Sequence, residues 1–278
     1  MTEDRTVERL DISVKTPAGP VTVPVEVSLH FVPVATIVSS LRRIGEAAQE
    51  LEERDVVAHG AAISCKKGCA ACCRMLIPLA APEAFALADT VKAWPVDRRE
   101  AALARLADAR AQLERAGVLP QLYEIAESEG QLDDDTFEPI NRAYYALRLP
   151  CPFLVEEVCS IYDDRPAACR ELLVTSPAEW CQDLERNPVR PVPVPLRVGT
   201  VLALLWADLV GGPARFIPLP LALDWAERHA QEGGRSWQGR EMLERALNKV
   251  WWYLSREAAA RQRASQSSSS RGQDRLQS

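Results

Sequence analysis

Eight cysteines, gathered in two short parts of the chain, constrain this sequence more than any other feature. The first cysteine block reads Cys65-Lys-Lys-Gly-Cys69-Ala-Ala-Cys72-Cys73. The second cysteine block contains Cys151, Cys159 and Cys169, and Cys181 follows it more loosely. No cysteine lies between the two blocks, before the first or after Cys181. Cysteines that serve only as small buried hydrophobic residues would be scattered along the chain. The clustering therefore indicates a bound metal.

The composition and the net charge indicate which classes of partner and which cellular compartment to expect. Of 278 residues, 47% are hydrophobic and 26% are charged, as in ordinary globular proteins. The net charge of −6 argues against a nucleic-acid partner, because phosphate binding requires a basic surface. The acidic N-terminus lacks the apolar core of a signal peptide. The most apolar later stretch, 198–210, is shorter than the ~20 residues that span a bilayer. We expect a cytoplasmic protein that binds neither nucleic acid nor membrane, where clustered cysteines favour metal binding or redox chemistry over disulfides.

Apolar patterning predicts a mainly α protein, with irregular cysteine-rich metal loops between the helices and a small N-terminal β-hairpin. Residues 1–30 contain alternating apolar and polar positions on either side of Thr16-Pro-Ala-Gly-Pro20, which is typical of a hairpin. Residues 31–263 are expected to form a helical cysteine-cluster domain whose motif region spans 60–181. Residues 264–278, with four consecutive serines, are expected to be a disordered tail.

Helical spacing of apolar residues predicts that most of the chain outside the cysteine blocks is α-helical. The first helix, from Pro33 to about Val57, has an apolar face that includes Val34, Leu41 and Ile44. The predicted helices cover about 33–57, 82–94, 96–116, 133–145, 197–209, 221–231 and 237–263. Four prolines exclude a regular helix between 187 and 196, where we expect an extended strap.

The spacing of the first cysteine block sets a geometric problem. In a helix its four cysteines would share one stripe, but the helix would rise ~12 Å from the first to the last. Thiolates that share one zinc ion lie ~2.3 Å from it, so a straight helix cannot bring all four to one ion. Either the segment bends at Gly68, or the four thiols divide between two centres.

In both cases the second block must supply further ligands. Prolines hold irregular backbone there, and basic residues flank the thiols of both blocks, where they offset thiolate charge. These basic residues are Lys66, Lys67, Arg74, Arg165 and Arg170. The candidate metal ligands are Cys65, Cys69, Cys72, Cys73, Cys151, Cys159 and Cys169. Cys181 lies outside the tighter spacing, and His59 precedes the first block; whether either is a ligand stays open.

These residues resemble the YkgJ-type cysteine-cluster family, a domain described as zinc- or iron-chelating. The resemblance rests on Cys65-x3-Cys69-x2-Cys72-Cys73, Cys151-Pro-Phe-Leu154, Cys159-x-Ile161-Tyr162 and Arg165-Pro166-x-x-Cys169-Arg170. It covers about residues 60–175 and implies chelation of zinc or iron, with an iron–sulfur cluster as one form. Within this motif Tyr162 and Arg165 are expected to shape and shield the site. A salt bridge from Arg165 to Asp163 or Asp164 is the alternative.

Three functions remain open from the sequence. The first is a metal- or iron–sulfur-binding protein whose centre is structural or serves metal handling. The second is a metal-dependent enzyme. Flagellin lysine methylases have a similar cysteine cluster, and Cys65-x3-Cys69-x2-Cys72 has the spacing of radical S-adenosylmethionine enzymes. However, no Gly-rich strand–turn–helix is apparent, and the chain lacks repeated βα units.

The third function is a protein-binding module. Trp237, Trp251, Trp252 and Tyr253 make the last helix aromatic. Tryptophans at helical spacing usually pack in the core, and docking of a partner is the alternative. Spacing alone does not separate zinc from iron–sulfur. Seven thiols nevertheless exceed one tetrahedral ligand set, which favours a cluster or two centres.

Overall fold

The computed structural model describes residues 6–128 and 134–274, with side chains described for 6–128 and 137–256. The predicted mainly α fold with an N-terminal β-hairpin is confirmed. The strands are β1 (Val7–Thr16), β2 (Gly19–Ser28), β3 (Phe31–Pro33), β4 (Pro78–Ala80), β5 (Leu154–Val155), β6 (Val158–Cys159), β7 (Phe216–Pro218) and β8 (Ser236–Gln238). The helices are α1 (Ile37–Ala58), α2 (Ala81–Lys92), α3 (Val96–Arg115), α4 (Leu119–Glu127), α5 (Asp134–Ala146), α6 (Ala167–Glu171), α7 (Val198–Val210), α8 (Ala222–Arg228), α9 (Ala230–Gly233) and α10 (Gly239–Asp274).

The hairpin shares the hydrophobic core of the helices. Strands β1 and β2 are antiparallel, with Thr16 opposite Gly19 and Val7 opposite Ser28. Because side chains alternate between the faces of a strand, the apolar positions form one face. The buried residues of that face are Ile12, Val14, Val23, Val25 and Val27, and they belong to the same core cluster as the helices. Residues 1–30 therefore do not have a separate core within the described part of the chain.

Helix α1 crosses the middle of the molecule and packs closely on α7. Its apolar stripe, which includes Leu41, Ile44 and Ala48, is buried, as the helical spacing predicts. A Cβ atom at Gly45 would overlap the side chain of Val198 at the start of α7. The absence of a side chain at Gly45 thus permits the two helices to approach.

Aromatic side chains fill the core between α2, α7 and α8. The ring of Phe85 lies 5.5 Å from Trp206 and 5.4 Å from Trp225. Both tryptophans are fully buried. Aromatic pairs at these distances contribute to stability beyond the area that they bury. None of the described helices is both long enough and apolar enough to cross a membrane.

The structure contains three small antiparallel sheets that the sequence did not predict. They pair β3 with β8, β4 with β7 and β5 with β6. Strands of two or three residues are too short for an alternating pattern to be recognised. Each joins segments that matter for the site or for closure of the fold: β4 directly follows the first cysteine block, and β6 ends at Cys159.

The helices of the structure differ from the predicted ones at several places. Helix α4 was not predicted, although proline is compatible with the first turn of a helix. Helix α10 extends to Asp274, beyond the predicted end at Arg263. Disorder of 264–278 stays a prediction, and 275–278 lie outside the described residues. The expected helix start at Asp133 also lies outside them.

The aromatic residues that were expected in the last helix do not share one environment. Trp237 lies in β8, before α10 begins, and packs against Trp206, with 6.2 Å between the rings. Tyr253 is half-buried against the core. Trp251 and Trp252 are exposed by 49% and 47%. The expectation that these aromatic residues pack in the core is therefore wrong for Trp251 and Trp252, because the α10 stripe that faces the core runs through Ala246, Val250 and Leu254 instead.

Two buried carboxylates hold α6 in place. Glu83 is completely buried and accepts hydrogen bonds from the backbone N–H of Ala167 at 2.8 Å and of Ala80 at 3.3 Å. Its charge is paired with Arg42, 3.3 Å away. Glu171 accepts a 2.7 Å hydrogen bond from the N–H of Val198, and burial raises its pKa to about 7. Because α6 carries Cys169, these acids position one of the candidate ligands.

Replacing Glu83 with alanine should lower the free energy of unfolding by about 3–5 kcal/mol, since it leaves a buried guanidinium and two buried N–H groups without their acceptor. Denaturant unfolding of Glu83→Ala measures this change. Glu100→Ala, which removes an exposed carboxylate, is the control and should change stability by less than ~0.5 kcal/mol. Equal stability of the two variants would contradict the bracing role of Glu83.

Deletion of residues 265–278 should leave the melting temperature and the metal content unchanged. The segment has four consecutive serines, and Leu276 is its one apolar residue apart from Gly272, so it can bury little surface against its ordering entropy. Calorimetry and metal analysis of the truncated protein measure both quantities. A melting temperature lowered by several degrees would show that the tail is docked.

Candidate metal centre

The first cysteine block folds as a series of tight turns. The N–H of Cys69 bonds to the carbonyl of Lys66 and the N–H of Cys73 to that of Ala70, both at 3.0 Å. Gly68 has a φ of +91°, a conformation that other residues rarely adopt. The segment thus bends at Gly68, and no helix is formed across this block. Division of the four thiols between two centres stays the other prediction.

The second cysteine block is built from three local structures. Cys151 lies in the loop after α5, Cys159 ends β6, and Cys169 lies in α6. The turn between β5 and β6 places Glu156 and Glu157 at φ values of +50° and +59°. Helix α6 follows Pro166, whose carbonyl accepts a 3.0 Å hydrogen bond from the N–H of Cys169. Short elements of this kind can place thiols from different parts of the chain on one side.

Backbone hydrogen bonds join the two blocks. The N–H of Cys151 donates to the carbonyl of Cys73 at 2.7 Å. At the other end, Ser64 donates from its N–H to the carbonyl of Val174 at 2.9 Å, and the N–H of Val174 points to the Cys65 sulfur at 3.3 Å. The first block is thus held on both sides by the segment that contains the second.

The thiols affect one another's ionisation. A hydrogen bond between the side chains of Cys72 and Cys73 lowers the pKa of Cys72 to about 7 and raises that of Cys73. Burial, followed by the charges of other thiols, raises the pKa of Cys151 to about 12 and that of Cys169 well above its usual value. Because the charges of Cys72 and Cys151 act on Cys169, thiols of both blocks lie within electrostatic range.

Cys181 belongs to the same neighbourhood, which its sequence spacing did not indicate. Its side chain is buried. Its pKa is raised to about 11, first by burial and then by the charges of Cys65, Cys72 and Cys69. The hydroxyl of Tyr145 donates to the carbonyl of Cys181 at 3.4 Å. Cys181 therefore lies beside the first block.

The cysteine side chains suit a metal that prefers sulfur ligands, but their sulfur atoms are not yet arranged around a common centre. All eight cysteines are free thiols, and most are partly buried. Within residues 6–128 and 134–274, no three histidine, cysteine, aspartate or glutamate side chains already form a set that could hold a metal ion. Zinc and iron–sulfur centres take soft sulfur ligands of this kind, and binding requires the thiols to lose their protons. The sulfur atoms must also move closer together.

Arginines surround the thiols and are themselves positioned by the chain. The Arg165 guanidinium lies 3.7 Å from the centre of the Tyr162 ring and donates through Nε to the Tyr162 carbonyl at 3.0 Å. Among the described residues it has no ion pair with Asp163 or Asp164, the alternative that the sequence left open. The pKa of Cys65 and of Cys169 is raised, first by burial, and the charge of Arg165 opposes this rise. The same charge contributes to the lowered pKa of Cys72.

Other cations tie the two blocks together. Arg74 in the first block forms two hydrogen bonds with Glu157 in the β5–β6 turn, at 2.6 and 2.9 Å. Arg170 pairs with Glu46 of α1 and donates to the carbonyl of Arg165 at 2.8 Å. These contacts fix the backbone that carries the thiols.

His59 is engaged with its own helix. Its Nδ1 lies 2.8 Å from the carbonyl of Asp55, and its side chain is 77% exposed. The His59 side chain thus caps the end of α1. This contact explains the presence of a histidine here without a role in metal binding. Glu83 and Glu171 were not recognised from the sequence. The available signal was a lone acid in the apolar run Leu79-Ala-Ala-Pro-Glu-Ala-Phe-Ala-Leu87.

Comparison with known proteins agrees with the chemistry of the site. Residues 64–185 match the CxxCxxCC family model, whose description is "Putative zinc- or iron-chelating domain". No curated protein and no solved structure matches the chain. The matched range starts just before Cys65, ends after Cys181 and includes all eight cysteines. The resemblance expected from the two cysteine blocks is therefore confirmed: residues 64–185 match the zinc- or iron-chelating CxxCxxCC family.

Proposed function

We propose that the protein holds zinc or iron in one thiolate-rich centre shared by both cysteine blocks. The proposed ligands are Cys65, Cys69, Cys72, Cys73, Cys151, Cys159 and Cys169. The observation that carries the proposal is the 2.7 Å hydrogen bond between the Cys151 N–H and the Cys73 carbonyl, which holds the blocks side by side. A cytoplasmic location, which keeps thiols reduced, is part of the proposal.

Ligand number supports more than one metal ion. A tetrahedral zinc site uses four ligands, whereas the two blocks contain seven free thiols, or eight with Cys181. Two metal ions that share thiolates, or an iron–sulfur cluster, would use such a set. The raised pKa values of Cys151 and Cys169 favour the neutral thiols when no metal is bound, so binding would release protons.

The proposed role of the centre is structural or metal handling. Its ligands come from segments separated by the whole of α2 to α5, so a metal would cross-link distant parts of the chain. Arg165 is placed to offset the thiolate charge, since its own charge favours the ionised form of Cys65, Cys72 and Cys169. Neighbouring thiols repel one another once they are ionised. A nearby cation reduces this repulsion and allows several of them to be thiolates at the same time.

A metal-dependent enzyme is the second candidate. The observation that favours it is a cavity of about 300 Å³ that opens beside Cys65. Enzymes place a ligand pocket next to the group that performs the chemistry. A substrate seated in this cavity would lie near the metal centre, whereas a purely structural site needs no such space.

Anaerobic purification, metal analysis and an absorption spectrum test the proposal and separate its two forms. An iron–sulfur cluster should give a brown protein that absorbs near ~400 nm, because sulfur-to-iron charge transfer lies in the visible range. A zinc centre should give a colourless protein with stoichiometric zinc. A protein that contains neither metal under these conditions, and takes up neither on reconstitution, would contradict the proposal.

Replacing Cys169 or Cys69 with serine should lower both the metal content and the melting temperature. A hydroxyl is a poor soft ligand, and loss of Cys169 also removes a link between the blocks. Cys181→Ser is the matched comparison. The thiol charges that most affect its pKa are those of the first block, so Cys181 is less placed to join the blocks and the loss should be smaller. Metal content equal to wild type in Cys169→Ser would remove Cys169 from the ligand set.

A further inference from the structure

The cavity beside Cys65 lies between α1 and the segment that includes α6. Its volume is about 300 Å³, at the lower end of the range for small-molecule sites. Gln49, Glu50 and Glu53 of α1 form one wall. Tyr162 and Arg165 form the opposite wall, next to the cysteine cluster.

Most charged groups of this cavity are already neutralised. Arg42 is paired with Glu83, Arg170 with Glu46, and Glu171 accepts a hydrogen bond from the Val198 N–H. Three lining groups remain: Arg165, Glu50 and Glu53. Across the part of the chain with described side chains, no carboxylate pairs with Arg165 and no cation pairs with either glutamate. Of these three unpaired groups, the two carboxylates lie on α1 and the guanidinium lies on the other segment that lines the cavity.

The Glu53 carboxylate on α1 is partly desolvated. Burial, with the neighbouring charge of Glu50, raises the pKa of Glu53. A cation between the two carboxylates would relieve their repulsion. On the opposite wall, Arg165 uses its Nε for the Tyr162 carbonyl, which leaves the two terminal nitrogens of the guanidinium as donors. Two parallel donors of this kind match the two oxygens of a carboxylate.

Two polar atoms of lining residues add a second observation. Gln49 is 7% exposed, and its Oε1 has no hydrogen-bond donor among the described atoms. The Nε of Arg42 is likewise without an acceptor. Buried polar atoms are nearly always satisfied in folded proteins, so unpartnered ones at a cavity indicate a polar occupant.

We propose that this cavity binds a small zwitterion, with its carboxylate on Arg165 and its ammonium group between Glu50 and Glu53. The chemical class is that of free α-amino acids and their derivatives. A simple anion would face the two glutamates, and a simple cation would face Arg165, so each would lose half of the complementarity. This site goes beyond metal chelation and does not require it.

Isothermal titration of the full-length protein with each of the twenty free α-amino acids tests this binding. At least one should bind saturably. Its deaminated and decarboxylated analogues should each bind about tenfold more weakly or worse, since each loses one charge-assisted contact. Absence of saturable binding by every amino acid, or an analogue that binds as tightly as its parent amino acid, would overturn the proposal.

Glu53→Gln is the decisive variant, because Glu53 lies on α1 outside both cysteine blocks. It should weaken the affinity for the tightest amino acid by about fivefold or more while the metal content stays that of wild type. Arg43→Gln, an exposed position on the same helix, is the control and should bind like wild type. Unchanged affinity in Glu53→Gln would contradict the proposed ammonium site.

Metal analysis of the same preparations separates this site from the metal centre. A protein that takes up neither zinc nor iron on reconstitution but binds the zwitterion would contradict the proposed function and leave the cavity assignment intact. A metal-loaded protein that binds no amino acid would support the proposed function and contradict the cavity assignment. Arg165→Gln should weaken zwitterion binding in proportion to the lost carboxylate contact, and retention of wild-type affinity would remove Arg165 from the site.

Discussion

The hydrogen bond from the Cys151 N–H to the Cys73 carbonyl is the contact on which the site depends. Within the chain, the two cysteines are separated by four helices. The bond forms between backbone groups, so it does not consume either sulfur. A structure that brought the blocks together through their thiols would lose those thiols as ligands. Here the backbone brings the segments together, and the sulfur atoms remain available for a metal.

Charge is the second constraint. Thiols that are close enough to share a metal repel one another once they are ionised, and burial makes this repulsion stronger. Cations near the thiols offset this repulsion. The main one is Arg165, which is held in position by the ring and the carbonyl of Tyr162. The carboxylates of Glu83 and Glu171 act on the backbone: each accepts a hydrogen bond from a backbone N–H, and together they hold α6 in place.

The sequence was informative where patterns were long and repeated. The hairpin and α1 follow from alternating and helical spacing over many residues, and the cysteine motif follows from several fixed positions together. The three-residue strands β3, β4 and β7 were not predictable, because such pairing is decided by tertiary contacts. The burial of Glu83 was also missed, since its partners Arg42 and Ala167 lie far from it in sequence. Trp251 and Trp252 were expected inside, but the stripe of α10 that faces the core is set by neighbouring elements.

The bracing of α6 has a consequence for the boundaries of the functional unit. Residues 64–185 include every cysteine, but Arg42, which pairs with Glu83, precedes this range, and Val198, which donates to Glu171, follows it. A fragment cut to the matched range would keep every cysteine. Glu83 would lose its ion pair with Arg42, and Glu171 would lose its hydrogen bond from the Val198 N–H. The smallest autonomous chelating fragment is therefore larger than the sequence motif. Its limits are set by α1 and α7, which contribute no sulfur.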